Sequence, residues 1–559
     1  MGIGSLMKDF SGWTSSHGIP QLGQARSACL RVWWTIVLLG SLSMFCYQLS
    51  VIVKKYFAYG VTVSQELKFE ERTFPAITIC STNSFLASFA LNNSVMFDLN
   101  THYRDALSYP TQALTTPHNP DWKFQNALND SKIMLTQIAA NNIPFISAGM
   151  NDTERNQSSL SMSEFILQCS YDNEPCDMAN DFKPIFDPVY GACYTYNNHD
   201  DSSSWKTNTR TGFEAGLKLL LRNDQSELLP LSETVGAVIT VHPQKIQPFP
   251  DAYGYSASAS YRTDLAIKLT QTVQLPDPYG ICTPGESEGA FYYDTDYSQE
   301  ACMRSCIQEM IVGECGCADP RYVLPAGAVY CTVSNRACLD KYTFGQRNDE
   351  SYSKKITDGC KCTQDCEATM FSIVSSQARW PTDIHSPEDC LRYFNASYIP
   401  VNESCKDWFQ YNTMQVYVYF ERMTFKTLVE SPAYTVKDII LNLGGQLGLW
   451  VGSSFITMIE FLAIFVVIVL YFINKGKGPT VIANDVDEDL GMQNVEDILR
   501  NRHDIVTSDS DSDGDMDDSG DDGDSPGSDG GDPVSPSQLD VNPYDAVSPS
   551  ESMSVPSPK

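Results

Sequence analysis

The chain has 559 residues, 42% hydrophobic and 19% charged, with 18 cysteines and a formal net charge of −31. A balance of 38 basic against 69 acidic residues excludes the electrostatic footprint of a nucleic-acid binder, and the length excludes a small disulfide-stapled peptide fold. Two apolar segments long enough to cross a bilayer exclude a soluble cytosolic enzyme.

Residues 1–31 read as a short cytosolic amino terminus. From Val32 to Val53 run 22 residues without a formal charge, bounded by Arg31 and by Lys54 and Lys55. At about 1.5 Å per residue they cover a hydrocarbon core about 30 Å thick. A secretory signal would be shorter, start earlier and end in a small-residue cleavage pattern. Trp33 and Trp34 near one edge, and Tyr56, Phe57 and Tyr59 near the other, suit interfacial anchoring. A first transmembrane helix is therefore predicted at 32–53.

Residues 54–438 hold sixteen of the 18 cysteines; only Cys29 and Cys46 fall outside. They also hold every Asn-x-Ser/Thr sequon, at Asn92, Asn129, Asn151, Asn156, Asn395 and Asn402. This partition indicates an oxidising, glycan-bearing exterior, with both termini in the cytosol and the chain in the plasma membrane. Cys315-Gly-Cys317 and Cys360-Lys-Cys362 have one residue between their cysteines, too few for an ordinary structural zinc pair. Disulfides are expected instead, and neither a metal site nor a cofactor.

Alternation predicts strands at Thr73–Cys80, Leu217–Leu221, Val235–Val241, Leu265–Leu275 and Gln415–Phe420. Helical character is read in Gln299–Met310, in Gln364–Phe371 and in parts of Met134–Ala148. The fold class is α+β: a mainly β, disulfide-rich body with helical lobes between two membrane helices.

The second apolar segment, 439–473, is 35 residues long with Glu460 as its only formal charge. A straight helix of that length would measure about 50 Å, too long for one ordinary crossing. Asn442, Gly444, Gly445, Gln446, Gly448, Gly452, Ser453 and Ser454 crowd its first half. A helix interrupted near Gly452 is predicted, its irregular backbone facing water or protein rather than lipid. A carboxylate in hydrocarbon is expensive unless it lines an aqueous path. The alternative leaves the glycines as helix-packing surfaces and Glu460 as a structural partner.

Residues 474–559 form an acidic tail. Between 480 and 559 there are 21 acidic and three basic residues, more than half of the net charge. Its Asp/Ser/Gly stretch from Ser508 to Asp532 has nothing to bury and reads as disordered. Ser508, Ser510 and Ser512 are each followed by Asp, which suits acidophilic kinases.

The pair His17-Gly18, Phe74-Pro-Ala-Ile-Thr-Ile-Cys80, Leu275-Pro-Asp-Pro-Tyr-Gly-Ile-Cys282, Gly444-Gly-Gln-Leu-Gly-Leu449 and the triplet Gly452-Ser453-Ser454 stand in this order. Together they resemble the degenerin/epithelial sodium channel/acid-sensing channel family from residue 17 to about 471. The resemblance implies a trimeric, amiloride-sensitive, sodium-selective channel with palm, β-ball, finger, knuckle and thumb lobes. It further implies the pairs Cys80–Cys193, Cys169–Cys176, Cys282–Cys366, Cys302–Cys362, Cys306–Cys360, Cys315–Cys338 and Cys317–Cys331, which leaves Cys390 with Cys405.

By the same resemblance Gly452, Ser453 and Ser454 form the selectivity filter, where carbonyls and hydroxyls replace the water that a small cation sheds. Asn442, Gly445, Gly448 and Glu460 line the pore, and His17 and Gly18 act in gating. Ser453 replaces the family's usual Ala, and Ala463 stands where many members carry a second acidic residue.

The general pattern, with the extra pair Cys390/Cys405 and Val241-His242-Pro243-Gln244, is similar to the FMRFamide-activated sodium channels of molluscs and annelids. The expected stimulus is therefore a short amidated RFamide peptide, drawn to aromatic walls and a carboxylate. Phe165, Tyr171, Asp172, Glu174, Tyr190 and Tyr194 are the candidate contacts, against the alternative that these rings pack the core. Proton, mechanical or constitutive gating, and a two-span glycosylated receptor or adhesion protein, remain alternatives.

Overall fold

The computed structural model describes residues 3–108, 122–124, 132–286, 289–343, 359–382, 384 and 404–473. The tail, Asn129, Cys390, Asn395 and Asn402 lie outside them. The chain divides into a large unit, Gly2–Ile464, and a small one whose described part, from Phe465 on, is the end of the last helix.

The amino terminus forms a helix at Ile3–Trp13 and a short one at Ile19–Gln24, followed by a 29-residue helix, Ala28–Tyr56. The Ser27 side chain caps the long helix by accepting from the Leu30 amide at 3.3 Å, and Lys54 and Lys55 occupy its last turn, where cations oppose the helix dipole. With a mean hydropathy of 2.0 it is apolar enough to cross a membrane.

The strands used below are β1 (Val61–Phe69), β2 (Ala76–Ser81), β3 (Ile166–Tyr171), β4 (Phe182–Asp187), β5 (Gly191–Tyr196), β6 (Leu217–Arg222), β7 (Gly236–His242), β8 (Tyr255–Ser258), β9 (Tyr261–Val273), β10 (Glu367–Arg379), β11 (Thr413–Phe420) and β12 (Thr424–Pro432). An eight-stranded sheet runs β1–β12–β9–β11–β6–β3 to the two residues Glu174–Pro175, with β10 also on β9. A five-stranded sheet runs β8–β7–β2–β5–β4. Their facing side chains, among them Phe74, Ile77, Ile79, Leu219, Ile239, Leu265, Val416 and Val418, form one apolar core. β11 shows the cause, since its odd and even residues alternate between buried and half-buried through Val416, Val418 and Phe420. β1 differs, with all nine residues exposed although it pairs with β12 from Val61↔Pro432 to Phe69↔Thr424.

The expectation of a helix over Gln364–Phe371 is wrong. Gln364–Asp365 is a short strand, and Glu367–Arg379 is β10, antiparallel to β9 over thirteen residue pairs. Glu-Ala-Thr-Met favours helix weakly, but pairing with β9 seats Phe371 and Ile373 against the core, and that tertiary gain prevails.

Helices Lys132–Ala140 and Ile143–Ala148 belong to a second core with Met96, Leu99, Tyr103 and Trp122. A third lobe is built on Gln299–Cys315 and Arg336–Thr343, packed around Ile311 and Leu339. Bonds Cys282–Cys366, Cys302–Cys362, Cys306–Cys360, Cys315–Cys338 and Cys317–Cys331 hold it, while Cys80–Cys193 and Cys169–Cys176 lie in the β body. Cys405 is also disulfide-bonded, and Cys29 and Cys46 are free.

Candidate pore site

The second apolar segment is two half-helices. The first, Val436–Gln446, starts at a capping box: the Asp438 amide donates to Thr435 Oγ1 at 3.3 Å, and the Thr435 amide donates to Asp438 Oδ2 at 2.8 Å. A π-helical turn, Leu447–Val451, follows, then a break, then the second half-helix, Phe455–Ile473. The axis bends by 76° across the break.

The local sequence explains this bend. Gly452 has φ +60°, the left-handed region that a residue without Cβ enters at little cost. The Ser453 amide reaches back to Leu447 O at 3.2 Å, ending the first half-helix. The Ser454 hydroxyl accepts from the Thr457 amide at 3.4 Å, starting the second. Ser453 is buried, and its hydroxyl has no partner among the described residues. Asn442 is exposed, its amide donating to Asp438 O at 2.7 Å. Gly445 in the first half-helix and Gly448 in the π-helical turn have nothing within 4 Å of where a Cβ would stand.

The amino terminus comes to this break. His17 Nδ1 lies 2.9 Å from Gly452 O. A Cβ on Gly452 would stand 2.1 Å from that same nitrogen, so the approach depends on glycine. Gly18, at φ +85°, turns the chain and caps Ile19–Gln24, its amide donating to Gln21 Oε1 at 2.9 Å. A Cβ there would meet Leu38 Cδ2 at 2.7 Å.

Glu460 is half-buried and hydrogen-bonded. Its Oε2 accepts from Thr14 Oγ1 at 3.0 Å and from the Ser15 amide at 2.9 Å, and Ser15 Oγ is 2.7 Å from Thr457 Oγ1. Sequence reading placed Glu460 and His17 at the pore but missed Thr14, Ser15 and Thr457. The signal for Thr14 and Ser15 was a run of small hydroxyl residues just before His17-Gly18, and that for Thr457 was a hydroxyl one helical turn before Glu460 in an apolar segment.

The proposed peptide contacts do not converge on one surface. Phe165 is 1% exposed and Tyr194 6% exposed; their rings pack 6.2 Å apart inside the core, so neither can wall a ligand pocket. Tyr194 donates to Leu160 O at 2.8 Å, and burial, with Glu164 adding, pushes its phenol up to about 12. Tyr171 is half-buried and donates to Thr207 O at 2.9 Å, and burial with Asp172 nearby raises its pKa. Tyr190 is half-buried, raised by burial and then by Asp187 and Asp251. Asp172 pairs with Arg210 at 2.5 Å, and Glu174 is exposed. None of these rings falls in a strand predicted from alternation: Tyr171 ends β3 and Tyr194 lies in β5, while Phe165 ends the short helix Met162–Phe165 and Tyr190 precedes β5.

Among the described sequons, Asn92, Asn151 and Asn156 are exposed. Asn151 also caps the helix Asp152–Ser158 by accepting from the Glu154 amide at 2.9 Å.

A family model described as "Amiloride-sensitive sodium channel" matches residues 10–464, from the amino-terminal helix through Glu460. The chain belongs to this family. Members of the amiloride-sensitive sodium channel family are ion channels rather than enzymes, and the chain is a cation channel of the degenerin/epithelial sodium channel type. It is 29% identical over 534 residues to Degenerin-like protein asic-2 of Caenorhabditis elegans, covering 92% of this chain and 96% of that one. It is 34% identical over 369 residues to Degenerin-like protein unc-105 of the same nematode, covering 64% of this chain and 40% of that one. Against Degenerin mec-4 of Caenorhabditis briggsae it is 33% identical over 342 residues, covering 60% and 43%. The match to asic-2 is nearly end to end, whereas this chain covers about two fifths of the other two. The mainly β, disulfide-rich body with its apolar helices fits the architecture of a plasma-membrane channel of this family.

Proposed function

We propose that this chain forms a sodium-selective, amiloride-sensitive channel, three copies around one pore, opened by a short extracellular RFamide-type peptide. The bilayer is its solvent, both termini are cytosolic, and Asn92, Asn151 and Asn156 carry glycans. The observation that carries the channel reading is the break at Gly452–Ser454. There a left-handed glycine and two serines interrupt an otherwise apolar segment. Backbone oxygens and hydroxyls at a narrow ring can replace the hydration of a small cation. Glu460, two turns further on, adds negative charge that favours cations over chloride.

The exterior charge favours a peptide, and burial removes one histidine as a proton sensor. Residues 54–438 carry 46 acidic and 30 basic side chains, a field that attracts a cationic peptide. His242 is fully buried, and burial holds its imidazole down at about 4, well below the range in which a neutral-pH sensor must titrate. With Phe165 and Tyr194 in the core, the peptide contacts fall to exposed groups such as Glu174.

The test expresses the chain alone in oocytes and records sodium current during pulses of RFamide peptides, then at pH 5, with and without amiloride. Peptide-evoked, amiloride-blocked current without acid current supports the proposal. Acid current alone selects proton gating, and no sodium current under any condition rejects the channel.

A further inference from the structure

The carboxylate of Glu460 has a second role legible in its partners. One oxygen, Oε2, takes two donors from the amino-terminal loop, Thr14 Oγ1 at 3.0 Å and the Ser15 amide at 2.9 Å. One helical turn earlier, Thr457 Oγ1 lies 2.7 Å from Ser15 Oγ and 3.1 Å from the Ser454 amide, which donates to it. One residue later, the Phe461 ring packs 5.5 Å from Phe10, itself 3% exposed. Thr14 and Thr457 are both buried. Three successive contacts therefore seat the same loop on one face of the second half-helix, and two residues beyond Ser15 the chain presents His17 to Gly452.

We propose that Glu460 docks the amino-terminal loop, with Thr14, Ser15 and Thr457 as positioning residues, and that this dock holds His17 against the break. This inference deepens the proposed function and rests on it for its electrical readout. Two donors of the loop converge on this one acceptor oxygen, which makes Glu460 the central contact of the dock. The docking role needs an acceptor atom, whereas the pore role needs a charge. Substitutions separate them.

Glu460→Gln keeps a carbonyl acceptor for both donors and loses the charge; Glu460→Ala loses both. In full-length channels normalised to surface labelling, Glu460→Gln lowers unitary conductance and keeps open probability. Glu460→Ala lowers open probability about tenfold or more. Thr14→Val lowers it several-fold, Thr14→Ser restores it, and Thr14→Val adds nothing to Glu460→Ala. Equal open probabilities for the Gln and Ala variants, or multiplying effects of Thr14→Val and Glu460→Ala, overturn the dock.

A second measurement needs no current. Ser15→Cys with Thr457→Cys, in a Cys29→Ser, Cys46→Ser background, replaces two oxygens 2.7 Å apart by sulfurs within reach of a bond. Mild oxidation should join the two peptides, read by mass spectrometry. Glu460→Ala should reduce the yield and Glu460→Gln should not. A yield that is zero, or insensitive to Glu460→Ala, refutes docking whether or not the protein conducts. A sensitive yield without sodium current keeps the dock and rejects the channel reading.

Discussion

The sharpest consequence of the break is the incompatibility of a side chain at 452 with the ring at 17. In Gly452→Ala the new Cβ would stand 2.1 Å from His17 Nδ1, 2.4 Å from its Cγ and 2.7 Å from its Cβ. The last of these is not the far end of a flexible side chain, so the loop backbone must move with the ring. Holding a non-glycine residue in the left-handed region costs roughly 1–2 kcal/mol, and losing the hydrogen bond to Gly452 O costs about 1 kcal/mol more. Together these amount to about 2–3 kcal/mol, which at 1.4 kcal/mol per tenfold reduces the docked fraction roughly 30- to 150-fold. His17→Ala alone removes only the hydrogen bond, a loss of roughly fivefold. The double variant has no ring to meet, so it should be no worse than Gly452→Ala. Sodium current per surface-labelled channel, beside the yield of the engineered cross-link between positions 15 and 457, measures both. Effects of the two substitutions that simply multiply would refute the steric argument. Gly18→Ala is the control, because its Cβ meets only the movable tip of Leu38, and its loss should be about tenfold.

Three further outcomes are expected. His242 is buried and therefore neutral in the fold; its Nδ1 donates to Pro243 O at 2.8 Å, which leaves Nε2, 2.8 Å from Thr78 Oγ1, as the acceptor. Its pKa is held at about 4 against an ordinary 6.5. The unfolded chain therefore binds the proton first, and about 3 kcal/mol of stability, fully present above pH 6.5, is lost as pH falls to 4. His242→Gln should flatten that stretch of the denaturation profile. Phe165→Ala should cost about 3–5 kcal/mol as a core truncation, seen as lower surface yield, with the peptide sensitivity of surviving channels unchanged. Removing Cys80–Cys193, which closes a separation of 113 residues, should cost about 4–5 kcal/mol. Removing Cys169–Cys176, which spans 7, should cost only about 2 kcal/mol, both read as melting-temperature shifts of the solubilised protein.

How much of the fold was legible depended on whether a segment's pattern reported one face or two. Thr413–Phe420 alternates because one face meets the core, and its strand could be read directly. Val61–Phe69 sets Val61, Val63, Leu67 and Phe69 at alternate positions, a strand signal that the sequence reading passed over, but none of its residues is buried and the alternation does not name β12 as its partner. Glu367–Arg379 misled in the other direction, its opening residues carrying a helix preference that a thirteen-residue ladder to β9 overrides. Local preference is worth tenths of a kilocalorie per residue, and a long ladder with two core side chains outweighs it.

At the pore the same division holds between composition and contact. Gly452, Ser453 and Ser454 announce a break because glycine and serine are poor company in a hydrocarbon-spanning helix, and that information is local. The partners of Glu460 are not local, lying 445 and 446 residues away, on hydroxyls and an amide that any loop could offer. A lone acid in an apolar run demands an explanation, and an aqueous pore is the first that charge suggests. The hydrogen-bond geometry adds another: an acceptor with two donors from the same loop is also an anchor. The two explanations differ in what they require of position 463, where this chain has an exposed Ala. A field of charges would be strengthened by an acid there, while an anchor needs no neighbour. One acid, seated against Thr14 and Ser15, meets the demand of the anchor in full while still giving the proposed pore its charge.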